Sequence, residues 1–478
     1  MYQDWDMLFL LEGGKRLLAG GTYVNDMFET NPPLIYYFSI AINFLAKAFN
    51  TSNVLVFKCV VYVFILYSLG ICHHILSCKP IKSEVISPLI LTLGFCLLIL
   101  SVCFFGQREH LMLVLTMPYF FLLYKTATGI KFSSILRIII SFLAALGFAL
   151  KPYFLFGLLF SELLLMYWQQ NWKTIVRLET QVIFWTVIVY LISVAVLMPD
   201  FYSVILPDLL HFYAFNNSIV DIITNFALVN ALFLLLITCW LSISLGRLEK
   251  LLSVITIGFM CCFVFQGKGW SYHVYPLVTL NSLLATLLIC HLSSAFKGNK
   301  KNSIFVLVII LAQFFFTLIP AFFNYYQKIS FYKNETGTFQ QFIKIARKFA
   351  SQNKSIFFFS TDLSRTIPIV YYSGMQLGSR FPTLWPIPGI INRQYTLKQC
   401  DSLCLDAQRR MLNYITEDFK RYQPELVYVD ISAQKILIKS QFDYLEFMQK
   451  SSSFRIIWRK YCYRVTSNNY AIYQRCKR

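Results

Sequence analysis

Charge is scarce in this sequence. Only 14% of its residues are Asp, Glu, Lys or Arg, against about 25% in soluble globular proteins. Acid is scarcer still, with 23 Asp and Glu against 43 Lys and Arg. The chain is 57% hydrophobic with a mean hydropathy of +0.57. A soluble core cannot bury that much apolar surface, whereas a bilayer solvates it, so an integral membrane protein is expected. Histidine is limited to six residues, and none stands near the C-x3-C pair Cys400 and Cys404, so that spacing is a weak metal signal; a divalent metal is possible but unsupported, and no cofactor is expected. Phosphate-loop patterns, internal repeats and low-complexity tracts are absent. There is also no basic–aromatic RNA motif, and no nucleic-acid partner is expected despite the net charge of +20.

The positive charge is unevenly placed. Residues 324–478 hold 24 Lys and Arg against 10 Asp and Glu, a net +14. Beside a membrane, such a region points to membrane lipids with anionic headgroups, or to phosphates. The plain alternative is a solvated Lys-rich surface. Nine of the 13 cysteines lie in or beside apolar runs, where they act as small hydrophobes. The other four (Cys400, Cys404, Cys462 and Cys476) can pair if their region faces an oxidising compartment.

Apolar runs of membrane length fall at roughly 54–78, 85–105, 111–126, 133–150, 153–170, 175–198, 226–246, 250–266, 272–296 and 303–323. Alternate loops carry Lys79 and Lys82, Lys125 and Lys131, Lys173, Arg247 and Lys250, then Lys297, Lys300 and Lys301. The positive-inside rule makes these cytoplasmic. The intervening loops are poor in Lys and Arg and face outward. Ten crossings set residues 50–53 and everything after 324 on one outer face. The run at 34–49 is short for a full span, and whether it crosses decides which face holds residues 1–33. The expected fold is thus a polytopic α-helical membrane protein of about 10–11 membrane helices, followed by a small C-terminal α/β extracytoplasmic domain. Its three parts are a first outer loop (1–33), a helical membrane domain (34–323) and the soluble domain (324–478). Within the last, 339–350 and 405–422 read as helices, and 356–359, 426–429, 456–458 and 470–473 as strands. Pro382, Pro386, Pro388 and Gly389 mark a long loop.

Four polar islands interrupt this apolar background. Asp4-Trp-Asp6 offers carboxylates able to act as a general base toward a hydroxyl, or else a solvated pair in a frayed terminus. Gln107-Arg108-Glu109-His110 sits at an outward end. Arg108 can grip phosphate through two parallel donors, and Glu109 can orient Arg108 or an acceptor sugar; a snorkelling Arg–Glu pair is the alternative. Lys151-Pro152-Tyr153 breaks what would otherwise be 36 apolar residues, either as a phosphate ligand or as an interfacial hairpin turn. Gln266-Gly-Lys-Gly-Trp-Ser-Tyr-His273 places Lys268 and His273 for phosphate and Trp270 and Tyr272 for stacking on a sugar, or forms an aromatic-belt turn. All four can lie on one outer face around one pocket.

The opening segment carries a resemblance. Asp4-x-Asp6, then Gly13-Gly14-x-x-Leu17-Leu18-x-Gly20-Gly21-x-Tyr23-x-x-Asp26, then Glu29-x-Asn31-Pro32-Pro33-Leu34 resembles the first outer loop of GT-C superfamily glycosyltransferases. It is most similar to the bacterial branch related to protein O-mannosyltransferases and lipid A aminoarabinose transferases. The resemblance implies a catalytic Asp at position 4 or 6, without choosing between them, and a transmembrane helix preceding that loop, which would lie upstream of Met1. It implies a polyprenyl-phosphate-linked sugar donor, a glycan, lipid or protein acceptor, and a site on the periplasmic face of a bacterial inner membrane. Lys151 resembles a mid-chain Lys that meets donor phosphate. The aminoarabinose branch has Lys directly before Pro-Pro, where this chain has Asn31. The rival readings are a transporter or flippase, whose charges would line a path, and a non-catalytic assembly protein of envelope polysaccharide synthesis.

Overall fold

A run of apolar residues long enough to span a bilayer can satisfy its backbone polar groups there only as a helix, and helix dominates the structure. The computed structural model describes residues 5–78, 83–215, 217–241, 243, 245–295, 300–334 and 337–476. Asp4 and the loop lysines Lys79, Lys82 and Lys297 lie outside them. Among the described residues, seven helices are long and apolar enough to cross a membrane. Four shorter apolar helices accompany them: Leu34–Ala48, Ser134–Ala149, Phe201–Phe212 and Phe226–Trp240. The protein is a helical membrane protein with a small sheet near its C-terminus.

The chain divides into two compact units, each gathered from separate stretches of sequence. One unit gathers Met1–Val54, Ser193–Phe215 and Lys328–Arg478; the other gathers Leu55–Ile192 and Asn216–Gln327.

In the second unit the central element is the helix Arg108–Ala127. It is 89% buried along its apolar window, against 28% for Asn53–Ser77 and 11% for Leu178–Leu197. Small residues let its neighbours approach, as is usual between membrane helices. A Cβ on Gly147 would lie 2.8 Å from Thr116 Cγ2, and one on Gly258 only 2.9 Å from the backbone oxygen of Phe156. The first contact seats Ser134–Ala149 on the central helix, and the second seats Leu155–Gln169 on Arg247–Gln266. Lys151, in the turn between two of these helices, is therefore held from both sides. At another helix end Arg177 donates to both Glu162 oxygens, at 2.5 and 2.7 Å, and Arg137 to both Glu179 oxygens, at 2.7 and 2.8 Å. These bidentate pairs satisfy four charges among themselves.

The first unit contains the sheet. Its strands are β1 (Ser355–Phe359), β2 (Gln376–Leu377), β3 (Leu426–Asp430), β4 (Tyr461–Ser467) and β5 (Tyr470–Arg475), in the order β2-β1-β3-β5-β4. β1 pairs parallel with β2 and β3, whereas β5 is antiparallel to β3 and β4. The helices Thr338–Phe349 and Ser402–Tyr422 lie close to their expected spans. Two expectations fail locally. Residues 456–458 belong to a helix, Ser452–Trp458, capped by Ser451; Phe454 and Trp458 sit one turn apart and stack with ring centroids 5.6 Å apart, whereas a strand would hold them roughly 13 Å apart along its length. The proline-rich loop includes a helix, Pro386–Leu397, since Pro386 occupies the first turn, where its missing N–H is not needed.

Residues 5–33 are likewise ordered by packing. Trp5–Leu18 is a helix whose residues Met7–Leu11 are buried. Gly13 and Gly14 are packing glycines, since a Cβ on Gly14 would stand 2.5 Å from Ser39 Cβ and 2.6 Å from the Ser39 carbonyl carbon. Asn43 ties the same helix pair by donating to the Leu11 carbonyl at 2.9 Å. Arg16 ends the helix and donates to the carbonyls of Asp26 (3.0 Å), Leu377 (2.6 Å) and Ser379 (2.6 Å). Phe28 then inserts among Phe381, Trp385 and Tyr414, with ring centroids 5.1, 5.8 and 5.6 Å away. Glu29 accepts from the backbone and side-chain N–H groups of Asn31, both at 2.6 Å.

Candidate functional site

Three of the four polar islands meet inside the second unit. Gly106, at φ +76°, turns the chain into the central helix, and a Cβ there would collide with the Phe57 ring at 2.0 Å. The Gly106 N–H donates to His110 Nδ1 at 2.9 Å, while Nε2 faces the Leu97 carbonyl at 3.0 Å. With both nitrogens engaged, His110 fixes the turn and is unavailable for chemistry. The turn aims Glu109 inward, where it is fully buried.

Glu109 Oε1 accepts a hydrogen bond from Lys151 Nζ. Lys151 Nζ also lies 3.1 Å from His273 Nε2 and 3.5 Å from Gln266 Oε1. His273 Nε2 stands 3.6 Å from Glu109 Oε1. An ammonium has donors only, so Nε2 acts as acceptor toward Lys151 and the proton of a neutral imidazole sits on Nδ1. Two buried atoms in this cluster, Glu109 Oε2 and His273 Nδ1, have no hydrogen-bond partner among the described residues. A buried polar atom without a partner is costly, and here an acceptor and a donor of this kind adjoin one ammonium.

Aromatic rings frame the cluster. The Tyr272 ring centroid is 5.2 Å from Lys151 Nζ and 4.5 Å from the His273 ring. Lys268 Nζ lies 5.3 Å from the Trp270 ring. Gly267 and Gly269 both adopt left-handed backbone, at φ +64° and +62°. That backbone favours glycine at both positions, and a Cβ on Gly269 would also displace Asn217 Nδ2, 2.7 Å away. The charges of Lys151, Lys268 and Arg108 all bear on His273. Arg108, Lys151 and Lys268 thus bring three cationic side chains to a cluster that also holds the Glu109 carboxylate.

Of the sequence-derived site residues, the structure therefore groups Glu109, Lys151, Tyr272 and His273 by direct contact, with the charges of Arg108 and Lys268 acting on the same imidazole. Asp6 lies in the first turn of Trp5–Leu18, half-buried, in the other compact unit. Asn217 and Cys262, whose carbonyl accepts from Gln266 Nε2 at 3.2 Å, were not singled out by sequence. Both sit in ordinary apolar or loop surroundings, with no residue pattern to flag them. Among the described residues, no three His, Cys, Asp or Glu side chains group as metal ligands would.

The fold and this buried polar cluster define a helical membrane protein with an ionic site among its helices. Compared with known family models, curated proteins and solved structures, the chain matches none.

Proposed function

We propose that this protein is a membrane glycosyltransferase of the GT-C type. It transfers a sugar from a polyprenyl-phosphate donor to a hydroxyl of a glycan, lipid or protein acceptor. The observation that carries this reading is the cluster in which Lys151 touches both Glu109 and His273, with two buried polar atoms that have no partner among the described residues and three cations acting on one imidazole. Ionisable groups among membrane helices are expensive and mark functional sites, and cations gathered around one imidazole suit a phosphate.

In this reading Arg108, Lys151 and Lys268 receive the donor phosphate, and Glu109 holds the Lys151 ammonium in place. His273 presents its Nδ1 proton as a further donor. Tyr272 covers the sugar face. Asp4 or Asp6 accepts the proton of the acceptor hydroxyl as its oxygen attacks the anomeric carbon. The bond from that carbon to the phosphate oxygen breaks, and the polyprenyl phosphate leaves with its electron pair. The fixed cations stabilise the charge developing on that oxygen. One displacement inverts the anomeric configuration. The site and residues 324–478 face the periplasm of a bacterial inner membrane, and the shorter apolar helices complete about 10–11 crossings.

The test uses the full chain in nanodiscs with a radiolabelled polyprenyl-phosphate sugar. Asp4→Asn, Asp6→Asn and the double variant are assayed for transfer. Loss of about 10²–10⁴-fold in one single variant, with unchanged expression, is expected for removal of a general base. Unchanged transfer in the double variant overturns the mechanism. Movement of labelled substrate across the bilayer without bond cleavage would establish the transporter reading instead.

A further inference from the structure

The first compact unit holds a hollow of about 1060 Å³ that the transfer chemistry does not use. Its walls come from the C-terminal half of Trp5–Leu18, the turn before β1, the Gly374 turn and the last turn of Ser402–Tyr422. Five cations and three carboxylates line it. Two of the cations are internally engaged: Arg16 by Glu12 at 3.1 Å and by three backbone carbonyls, and Arg421 by Asp26 at 2.6 Å. The other three are Lys15, Lys354 and Arg475. None of their side chains makes a hydrogen bond or ion pair among the described residues. Lys15 and Lys354 are exposed, and Arg475 is half-buried. A smaller adjoining hollow shares Lys354 and Arg475 and adds Arg347 and Lys348, continuing the positive surface.

Three further features limit what such a surface would hold. The volume is at the upper end for small-molecule sites, about 300–1,000 Å³, which is too large for a lone phosphate. The Tyr371 ring, 43% exposed, lies in the wall and offers an apolar face for a sugar ring. The amides of Asn353, Gln376 and Gln423 are exposed around it, and amides supply both donors and acceptors to hydroxyls. Cations without partners, an aromatic face and amides together form recognition chemistry for a carbohydrate that carries negative charge. We infer that this hollow binds an acidic oligosaccharide, with Lys15, Lys354 and Arg475 meeting its carboxylates or phosphates. The inference is independent of the transfer reaction, because binding is measured without turnover.

The experiment is equilibrium binding to the full chain in nanodiscs of neutral lipid. The probes are fluorescent hexagalacturonate, a phosphorylated hexasaccharide, neutral maltohexaose, and a single-stranded oligonucleotide of matched charge. The expected result is that at least one acidic saccharide binds and maltohexaose does not. The variant Lys15→Gln/Lys354→Gln/Arg475→Gln should weaken that binding about tenfold or more, since three charges leave the site. A control, Lys439→Gln/Lys450→Gln/Arg459→Gln, removes the same charge from other exposed positions of this unit and should bind as wild type does. Equal weakening by the control reduces the effect to net charge and overturns the site. So do absence of binding by both acidic saccharides, unchanged binding by the first variant, and oligonucleotide binding as tight as that of the saccharides. Absence of glycosyl transfer by the wild-type chain, with saccharide binding intact, would count against the proposed enzyme alone.

Discussion

Lys151 Nζ stands 3.1 Å from His273 Nε2 although 122 residues separate them in sequence, and Glu109 closes the triangle from the central helix. Each group is more than nine-tenths buried, so each needs the others. Replacing Lys151 by Met should leave the Glu109 carboxylate without its cation and cost about 3–5 kcal/mol. Lys151→Met/Glu109→Leu removes both charges and should recover most of that stability. Thermal unfolding of the purified protein in detergent measures both. If the cluster binds donor phosphate, the double variant regains its fold without regaining transfer.

Gly14 and Gly20 separate packing from backbone conformation. Gly14→Val would drive a side chain into the Ser39 backbone and should destabilise by about 3 kcal/mol, because overpacking that meets backbone cannot relax cheaply. Gly20 has φ +88° with nothing within 4 Å of the Cβ position. Gly20→Ala should therefore cost only the strain of a left-handed residue, about 1 kcal/mol. Melting temperatures of the two variants should keep that order.

Asp401 begins the Ser402–Tyr422 helix by accepting from Cys404 N–H at 3.1 Å, and Arg393 donates to it at 2.7 Å. The Arg393 hydrogen bond holds the Asp401 carboxyl below the usual carboxylate range. A lowered native value means that the unfolded state binds the proton more readily. The stabilisation is therefore complete above the unfolded carboxylate value, about 3.9, and is lost as pH falls below that and through the lowered native value. Hydrogen exchange of the amides at 402–405, corrected for intrinsic rate, should show the first turn opening over that acidic window. Arg393→Gln should shift the loss to higher pH.

Cys400 pairs with Cys404 and Cys462 with Cys476, while nine other cysteines are free. Protein taken from membranes, denatured without reductant and treated with N-ethylmaleimide should gain nine adducts; reduction first should raise this to 13. Intact mass reads the number directly. Thirteen adducts without reductant would place residues 400–476 in a reducing compartment and contradict a periplasmic domain.

Much of the helical scaffold is legible because hydrocarbon imposes one solution on an apolar run. The stretch 54–78 becomes Asn53–Ser77, and 272–296 becomes Ser271–Ala295. The polar islands are legible for the related reason that charge there is expensive. Their mutual contacts are not, since Lys151 reaches Glu109 and Gln266 only through helix crossings set by Gly147, Gly157 and Gly258. No local pattern reports a crossing. The Gly13-Gly14 pair shows the limit most clearly, because glycine marks a turn, a close approach or a flexible link with the same letter. Ile456-Ile457-Trp458 fails differently, being too short for its periodicity to separate strand from helix. The saccharide-binding hollow leaves no motif, because its cations come from positions 15, 354 and 475.

The clamp made by Arg16 also constrains the order of events during synthesis. Two of its acceptors, the carbonyls of Leu377 and Ser379, are 361 and 363 residues further along the chain. At about 5–20 residues per second, they leave the ribosome roughly 20–70 s after Arg16 does. Throughout that interval the amino-terminal helix must wait without its final partner. A chaperone or the insertion machinery that shelters Met7–Leu11 would then govern yield more than the stability of the finished protein does.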